Sequence, residues 1–189
     1  MRLIYLVSIA ALGLSACGGS QPTYDVLNSN ADRIFDALIA EDPTTVSRAT
    51  DAFQGGASYT GVAYGTLQGT GNGQIVGFVS STQVDVALNN SAVEVSGTMN
   101  NFVTEDEQNL AGSLSIDGEM NPGTSQGSPS LILDGTLSGS LESPFTGSNV
   151  NIAATIGGLP FGDDAEYIGG RMFDQDGNLL IDGSWAAER

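Results

Sequence analysis

The run Leu110-Ala111-Gly112-Ser113-Leu114-Ser115-Ile116-Asp117-Gly118-Glu119-Met120 alternates between two kinds of residue. Leu110, Leu114, Ile116 and Met120 share one parity, and Ser113, Ser115, Asp117 and Glu119 share the other. A period of two puts successive side chains on opposite faces of a strand. One apolar and one polar face mean a sheet covered on a single side, which is characteristic of antiparallel sheets. The same pattern continues on both sides of this run. Leu131, Leu133, Leu137 and Leu141 alternate with Asp134, Thr136, Ser138 and Ser140. Val84, Val86 and Leu88 alternate with Gln83 and Asp85, and Leu179, Ile181 and Trp185 with Asp182 and Ser184.

Clusters of Gly, Asn, Ser and Asp interrupt the alternation at short intervals, as turns between strands do. The spacing predicts eight strands, over residues 57–67, 82–88, 92–99, 110–120, 130–141, 149–157, 167–173 and 178–186. The Gly-rich segment 68–81 leaves room for a short extended piece over 74–79. Residues 121–129 read as a Gly/Ser/Pro loop, and 174–177 as the last hairpin turn. Gly97, Gly112, Gly118, Gly135, Gly139 and Gly183 sit in the apolar register. Glycine weakens a strand interior unless the sheet must coil sharply, as it does when it closes. Eight strands enclose a lumen that side chains can fill or that holds one small ligand. A membrane barrel turns an apolar face and aromatic girdles toward lipid, and only 7% of this chain is aromatic. The fold class expected is therefore all-β, a soluble eight-stranded antiparallel β-barrel preceded by one N-terminal α-helix.

That helix is expected over 24–41, where Val26, Leu27, Ile34, Phe35, Leu38 and Ile39 recur at helical spacing. Asn30 or Asp32 is the expected cap, and Pro43 the stop. Ile34, Phe35, Leu38 and Ile39 are expected either to rest on the barrel or to plug one of its mouths, unless the helix is only a spacer. Residues 42–56 read as a polar connector.

Five basic residues, all arginine, face 22 acidic ones, for a formal net charge of -17. Such a surface repels phosphate backbones and anionic lipid heads, so nucleic acid is not an expected partner. The absence of histidine and lysine removes the usual general bases and Schiff-base residues. The single cysteine, Cys17, stands behind the apolar run Leu3 to Leu14, which follows Arg2. Charge, short apolar stretch and small residues are the order of a secretory signal peptide, and the stretch is too short to span a bilayer. Leu14-Ser15-Ala16-Cys17 resembles a bacterial lipobox. The resemblance implies a signal peptide over 1–16, cleavage before Cys17, and acyl chains such as palmitate on that cysteine. Residues 17–56 then form a lipidated tether, helix and connector. Two or more acyl chains make a stable anchor. Gly18 stands where an aspartate would resemble an inner-membrane retention signal, so the outer membrane is the expected location, at the cell surface or facing the periplasm.

Ala57-Ser58-Tyr59-Thr60-Gly61-Val62-Ala63 resembles the opening strand of the barrel domain of transferrin-binding protein B-like lipoproteins. Val84-Asp85-Val86-Ala87-Leu88 and Val95-Ser96-Gly97-Thr98-Met99 are similar to the next hairpin. Phe161-Gly162, Ala165-Glu166-Tyr167-Ile168-Gly169-Gly170 and Met172-Phe173 resemble the family's aromatic-Gly turn and final hairpin. Ile181 through Arg189 is similar to its closing strand, with Trp185 where phenylalanine is usual. The resemblance covers 57–189. It implies a single-barrel member of a surface-lipoprotein family, some of whose two-lobed members capture host iron proteins.

Other constellations have plainer readings. Gly123-Thr124-Ser125-Gln126-Gly127 has the spacing of a serine-hydrolase elbow, but the chain lacks the histidine base that motif needs. Asp174-Gln175-Asp176-Gly177-Asn178 hints at a calcium loop but is out of phase with one and reads as a hairpin turn. Asp163-Asp164-Ala165-Glu166 reads as a solvated helical turn, and Trp185 and Phe173 as inward-facing core. No cofactor and no metal site is implied. The function expected is a non-enzymatic lipoprotein binding a protein or small ligand, or a structural envelope lipoprotein with no dedicated ligand. A cavity or an exposed apolar patch favours the first, and a filled barrel with polar loops favours the second.

Overall fold

The computed structural model describes residues 21–189 apart from 72, 90, 91, 126, 175, 176 and 178. These residues form two helices, α1 (Tyr24–Ile39) and α2 (Val46–Ala52), and nine strands. The strands are β1 (Ala57–Gly69), β2 (Ile75–Asn89), β3 (Ala92–Thr104), β4 (Asn109–Leu110), β5 (Gly112–Ser125), β6 (Ser128–Glu142), β7 (Asn149–Phe161), β8 (Tyr167–Phe173) and β9 (Leu179–Glu188). Each long strand pairs antiparallel with its neighbour, and β1 pairs with both β2 and β9. With β2 also paired to β3, the sheet closes into an eight-stranded barrel, and β4 is a two-residue annex on β3.

The alternation read from the sequence sorts side chains as expected. Tyr59, Leu67, Phe78, Met99, Leu114, Leu137 and Trp185 are fully buried among the lumen residues, while Asp85, Asp117, Glu119, Asp134 and Asp182 are exposed on the outer wall. This polarity is the inverse of that of a transmembrane barrel. The glycines permit the coiling. Gly65 lies opposite Gly183, and a Cβ on Gly65 would stand 2.1 Å from the Asp182 carbonyl oxygen. Gly118 lies opposite Gly135, where a Cβ would meet the Asp134 carbonyl at 2.7 Å.

Some boundaries differ from the expectation. The 74–79 piece and the 82–88 strand are one strand, β2, whose pairing with β3 shifts register between Val79 and Ser81. The shift is a bulge, and Asn101 on β3 adopts φ 53 beside it. Residues 121–129 are mostly not loop. β5 and β6 stay paired out to Ser125 and Ser128, because turn-type composition does not prevent pairing at a hairpin tip.

α1 rests on the outer wall instead of plugging a mouth. Thr23 caps it, its Oγ1 accepting from the Val26 N–H at 3.4 Å, so neither Asn30 nor Asp32 is the cap. Ala31, Ile34 and Leu38 pack on Val62 and Ala186, and Leu27 packs on Val79 and Val103. Those four barrel residues point outward yet are buried because the helix covers them. Phe35 meets Tyr64 edge-on with ring centroids 4.9 Å apart. Ile39, expected in the contact, is 74% exposed. Leu27 and Ala31 complete the stripe instead, since the helix starts at Tyr24 and its inner face falls on positions 27, 31, 34 and 38. Arg33 clamps the helix to Glu188 through two hydrogen bonds, one of 2.9 Å. That contact holds the Glu188 carboxyl below its ordinary value.

The connector is more than a spacer. The β6–β7 pairing ends at Leu133 and Gly158. Beyond it, residues 43–45 sit between the two strands, Pro43 bridging to Phe161 and Thr45 to Ser130. The Thr44 N–H donates to the Pro160 carbonyl at 2.9 Å, and the Ser130 hydroxyl donates to the Thr44 carbonyl at 2.9 Å. The chain thus passes from the outer wall to the barrel mouth at this gap. There α2 places Ala49 and Phe53, both fully buried, in the lumen cluster. The opposite mouth is covered by Leu110 on β4, by Phe145 of the β6–β7 connection and by Val150 at the start of β7.

Tyr59 reports on the plugged mouth. Its hydroxyl donates to the Ala165 carbonyl at 2.6 Å. Burial chiefly, with Glu166 adding and Arg189 opposing, pushes the phenol up to about 12. An acid whose folded value is raised keeps its proton longer in the folded state. Its contribution is complete below about pH 10 and is lost as pH rises through 10 to 12, a loss on the order of 2 kcal/mol. Alkaline denaturation should therefore steepen above pH 10, and Tyr59→Phe should flatten that limb. An unchanged limb in the variant would refute the assignment.

Candidate functional site

Side chains fill the lumen, so the barrel's concave apolar surface lies elsewhere. It is an outer-wall groove of about 580 Å³ over β6, β7 and β8, beside the gap that residues 43–45 enter. Its floor is glycine. Gly157 and Gly169 face outward at positions where other residues would fill the depression, and Gly158 and Gly170 beneath them let the strands approach closely. Its walls are Ile132, Leu159, Phe161 and Phe173, with Asp134 and Arg171 at the polar edges. Ile132 is 36% and Phe173 44% exposed. Two large apolar residues left in water beside further apolar wall residues form a patch of the kind that marks an interaction surface. Gly169 also touches α1, since a Cβ there would stand 2.6 Å from Leu38 Cδ1. The groove therefore begins where the helix footing ends.

The structure places the sequence-predicted residues as follows. Cys17 lies outside the described residues. Trp185 is fully buried, as expected, and its Nε1 donates to the Gly157 carbonyl at 3.1 Å. Phe173 was expected inward but faces outward, because Met172 takes the lumen position on β8. Asp163-Asp164-Ala165-Glu166 forms a turn, not a helical turn. Asp163 pairs with Arg48, the Asp164 N–H donates to Glu166 at 3.0 Å, and Ala165 has φ 52. Among the described residues no cluster of carboxylates is arranged to hold a metal ion. Gly123, Thr124, Ser125 and Gly127 lie at the β5–β6 hairpin tip, and Gln126 lies outside the described residues. The same holds for Gln175, Asp176 and Asn178 of the last turn. The acidic stretch Glu105-Asp106-Glu107 has local duties. Glu107 accepts from the Tyr24 N–H at 3.2 Å at the start of α1, and Glu105 accepts from the Gly77 N–H at 3.2 Å.

The groove was missed by the sequence reading. Its sequence trace is Gly157-Gly158 on β7 and Gly169-Gly170 on β8, of which Gly158 and Gly170 lie directly opposite each other, an adjacency that depends on register.

Fold and surface together define a small closed β-barrel with a filled lumen, one helix strapped to its wall and another seated in its mouth. Comparison with known protein families, with curated proteins and with solved structures finds no match for the chain.

Proposed function

We propose that this chain is a non-enzymatic, lipid-anchored lipoprotein of the bacterial outer membrane that binds a protein partner through the outer wall of its barrel. The observation that carries the reading is the contrast between a filled lumen and an open apolar groove on the wall. A lumen occupied by Tyr59, Phe78, Phe102 and Trp185 has no place for a small ligand of its own, which weighs against the lumen-binding form of the function. The exposed patch in turn weighs against a purely structural envelope role. The lipobox-like Leu14-Ser15-Ala16-Cys17 supports the anchor. The eight-stranded closure, with the family-like segments falling on β1, the β2–β3 hairpin and β7 through β9, supports kinship with single-barrel relatives of transferrin-binding protein B-like lipoproteins.

Mass spectrometry of the mature N-terminus should find an acylated Cys17, and the protein should fractionate with the outer membrane. Cys17→Ala should release it unlipidated. An unmodified Cys17 would refute the anchor. A photo-reactive residue at Phe173 should crosslink a discrete partner in cells, where the same residue at the exposed Thr66 does not. Equal crosslinking at both positions would favour the structural role.

A further inference from the structure

We propose that the outer-wall groove receives a cationic amphipathic segment of the partner, with large apolar side chains in the groove and Lys or Arg beside them. The inference rests on the binding role proposed above and adds the chemistry of the occupant. The apolar half of the argument is the groove itself: Ile132, Leu159, Phe161 and Phe173 over a glycine floor.

The charged half is a row of carboxylates that leads into it. Glu94 on β3 lies directly opposite Glu119 on β5, and Glu119 lies directly opposite Asp134 on β6. All three are exposed on the outer wall. Like charges directly opposite each other across strands destabilise a sheet, and this row sets two such pairs in series. Cation side chains nearby would offset the repulsion, but the ion pairs among the described residues lie elsewhere. Arg33 holds Glu188, Arg48 holds Asp163, and Arg171 holds Asp182. Arg171 stands at the groove's far edge, in line with Asp134 but with Gly157 between them. Asp134 belongs to both features, since it ends the acidic row and edges the groove. Neighbouring strands lie about 4.8 Å apart, so a basic side chain flanking an apolar anchor in the groove reaches Asp134 and Glu119.

The same charges argue against other occupants. An anionic membrane surface would meet the acidic row at its approach. A second copy seated groove to groove would set the same row against itself, in a molecule already at net charge -17.

The test titrates the full chain with three short synthetic peptides. The first has Leu and Phe on one face and Lys on the other, the second replaces Lys by Glu, and the third keeps Lys but replaces Leu and Phe by Ser. The first should bind saturably, the other two about tenfold or more weakly, and rising salt should weaken the first. Ile132→Ser with Phe173→Ser should abolish binding, and because both side chains are partly exposed the variant should stay folded, its unfolding midpoint falling only modestly. Glu119→Gln with Asp134→Asn should weaken the first peptide by about tenfold while leaving the midpoint unchanged or raised. Equal binding of the Lys and Glu peptides, or no loss in the Glu119/Asp134 variant, would overturn the cationic occupant while leaving the groove as a binding surface. Failure of every apolar-faced peptide to bind would overturn both. Zwitterionic vesicles displacing the first peptide, or self-association that Phe173→Ser abolishes, would assign the groove to lipid or to a second copy and also overturn the proposal.

Discussion

A chain beginning at Ala57 should unfold at a much lower denaturant concentration than one beginning at Gln21. The barrel strands are complete from Ala57 onward, so a view of the first 56 residues as tether and spacer expects equal midpoints. The packing expects otherwise. Leu27, Ile34 and Leu38 are buried against the outer wall, and Phe53 is fully buried in the lumen. Burial of a large apolar side chain contributes ~1.5–3 kcal/mol before ordering costs are subtracted. Removal also uncovers their partners, Val62, Val79, Val103 and Ala186 on the wall and the lumen end that Phe53 occupies. Backbone groups lose partners as well. The Leu88 N–H donates to the Phe53 carbonyl at 3.3 Å, and the Pro160 carbonyl accepts from Thr44 at 2.9 Å. A loss of several kcal/mol is the expected result, large against the ~5–15 kcal/mol of a typical domain. Equal midpoints in urea or guanidinium would show that neither helix stabilises the barrel. Phe53→Ala in the longer chain separates the two helices, since it empties only the mouth. It should cost ~3–5 kcal/mol if the plug packs as described.

Trp185→Ala should be the most damaging single change at the barrel centre. The indole is fully buried, lies between β1 and β8 on the closing strand, and donates to the Gly157 carbonyl at 3.1 Å. It also lies against the glycine pairs, since a Cβ on Gly158 would stand 2.7 Å from its ring. Truncation therefore opens a large void beneath the groove and leaves a carbonyl without its donor. The expected cost is ~3–5 kcal/mol for the cavity, with ~1 kcal/mol more for the hydrogen bond. Tryptophan emission of the native protein should be blue-shifted and inaccessible to a charged quencher, because Trp185 is the chain's one tryptophan. Red-shifted, freely quenched emission would refute the placement. The void also borders the groove floor, so a weakened groove in this variant would reflect lost support under Gly157 and Gly158.

The barrel was legible in the sequence because its rule is local. Period-two alternation states which residues turn inward, and glycine in the apolar register states where strands must crowd. The four long-range features were not legible in the same way. Val46 and Ala49 lie on one face of a seven-residue helix, with Phe53 as its C-cap, a segment too short for periodicity to separate from a polar connector. The insertion of residues 43–45 depends on two strands diverging after Leu133 and Gly158, which no local pattern encodes. Phe173 alternates with Met172, and only pairing to β7 and β9 decides which of the two faces the lumen. Ile39 has the spacing of a buried residue but falls one position off the inner face that Leu27, Ala31, Ile34 and Leu38 form.

The sequence by itself therefore determined the eight strands of the barrel, their closure and most of the inward set, because side chains alternate across a strand, with Phe173 the exception. It also determined the strongly acidic composition and the apolar run Leu3 to Leu14 that precedes Cys17. Only the tertiary structure decided where the two helices go, how the mouths are closed and where the outer-wall groove lies. Those depend on register, on the residues that face each other across strands, and on which outward apolar side chains a helix covers. Val62 and Val103 are covered because α1 packs on the wall through Leu27, Ala31, Ile34 and Leu38, whereas Ile132 on β6 and Phe173 at the end of β8 lie outside that footing.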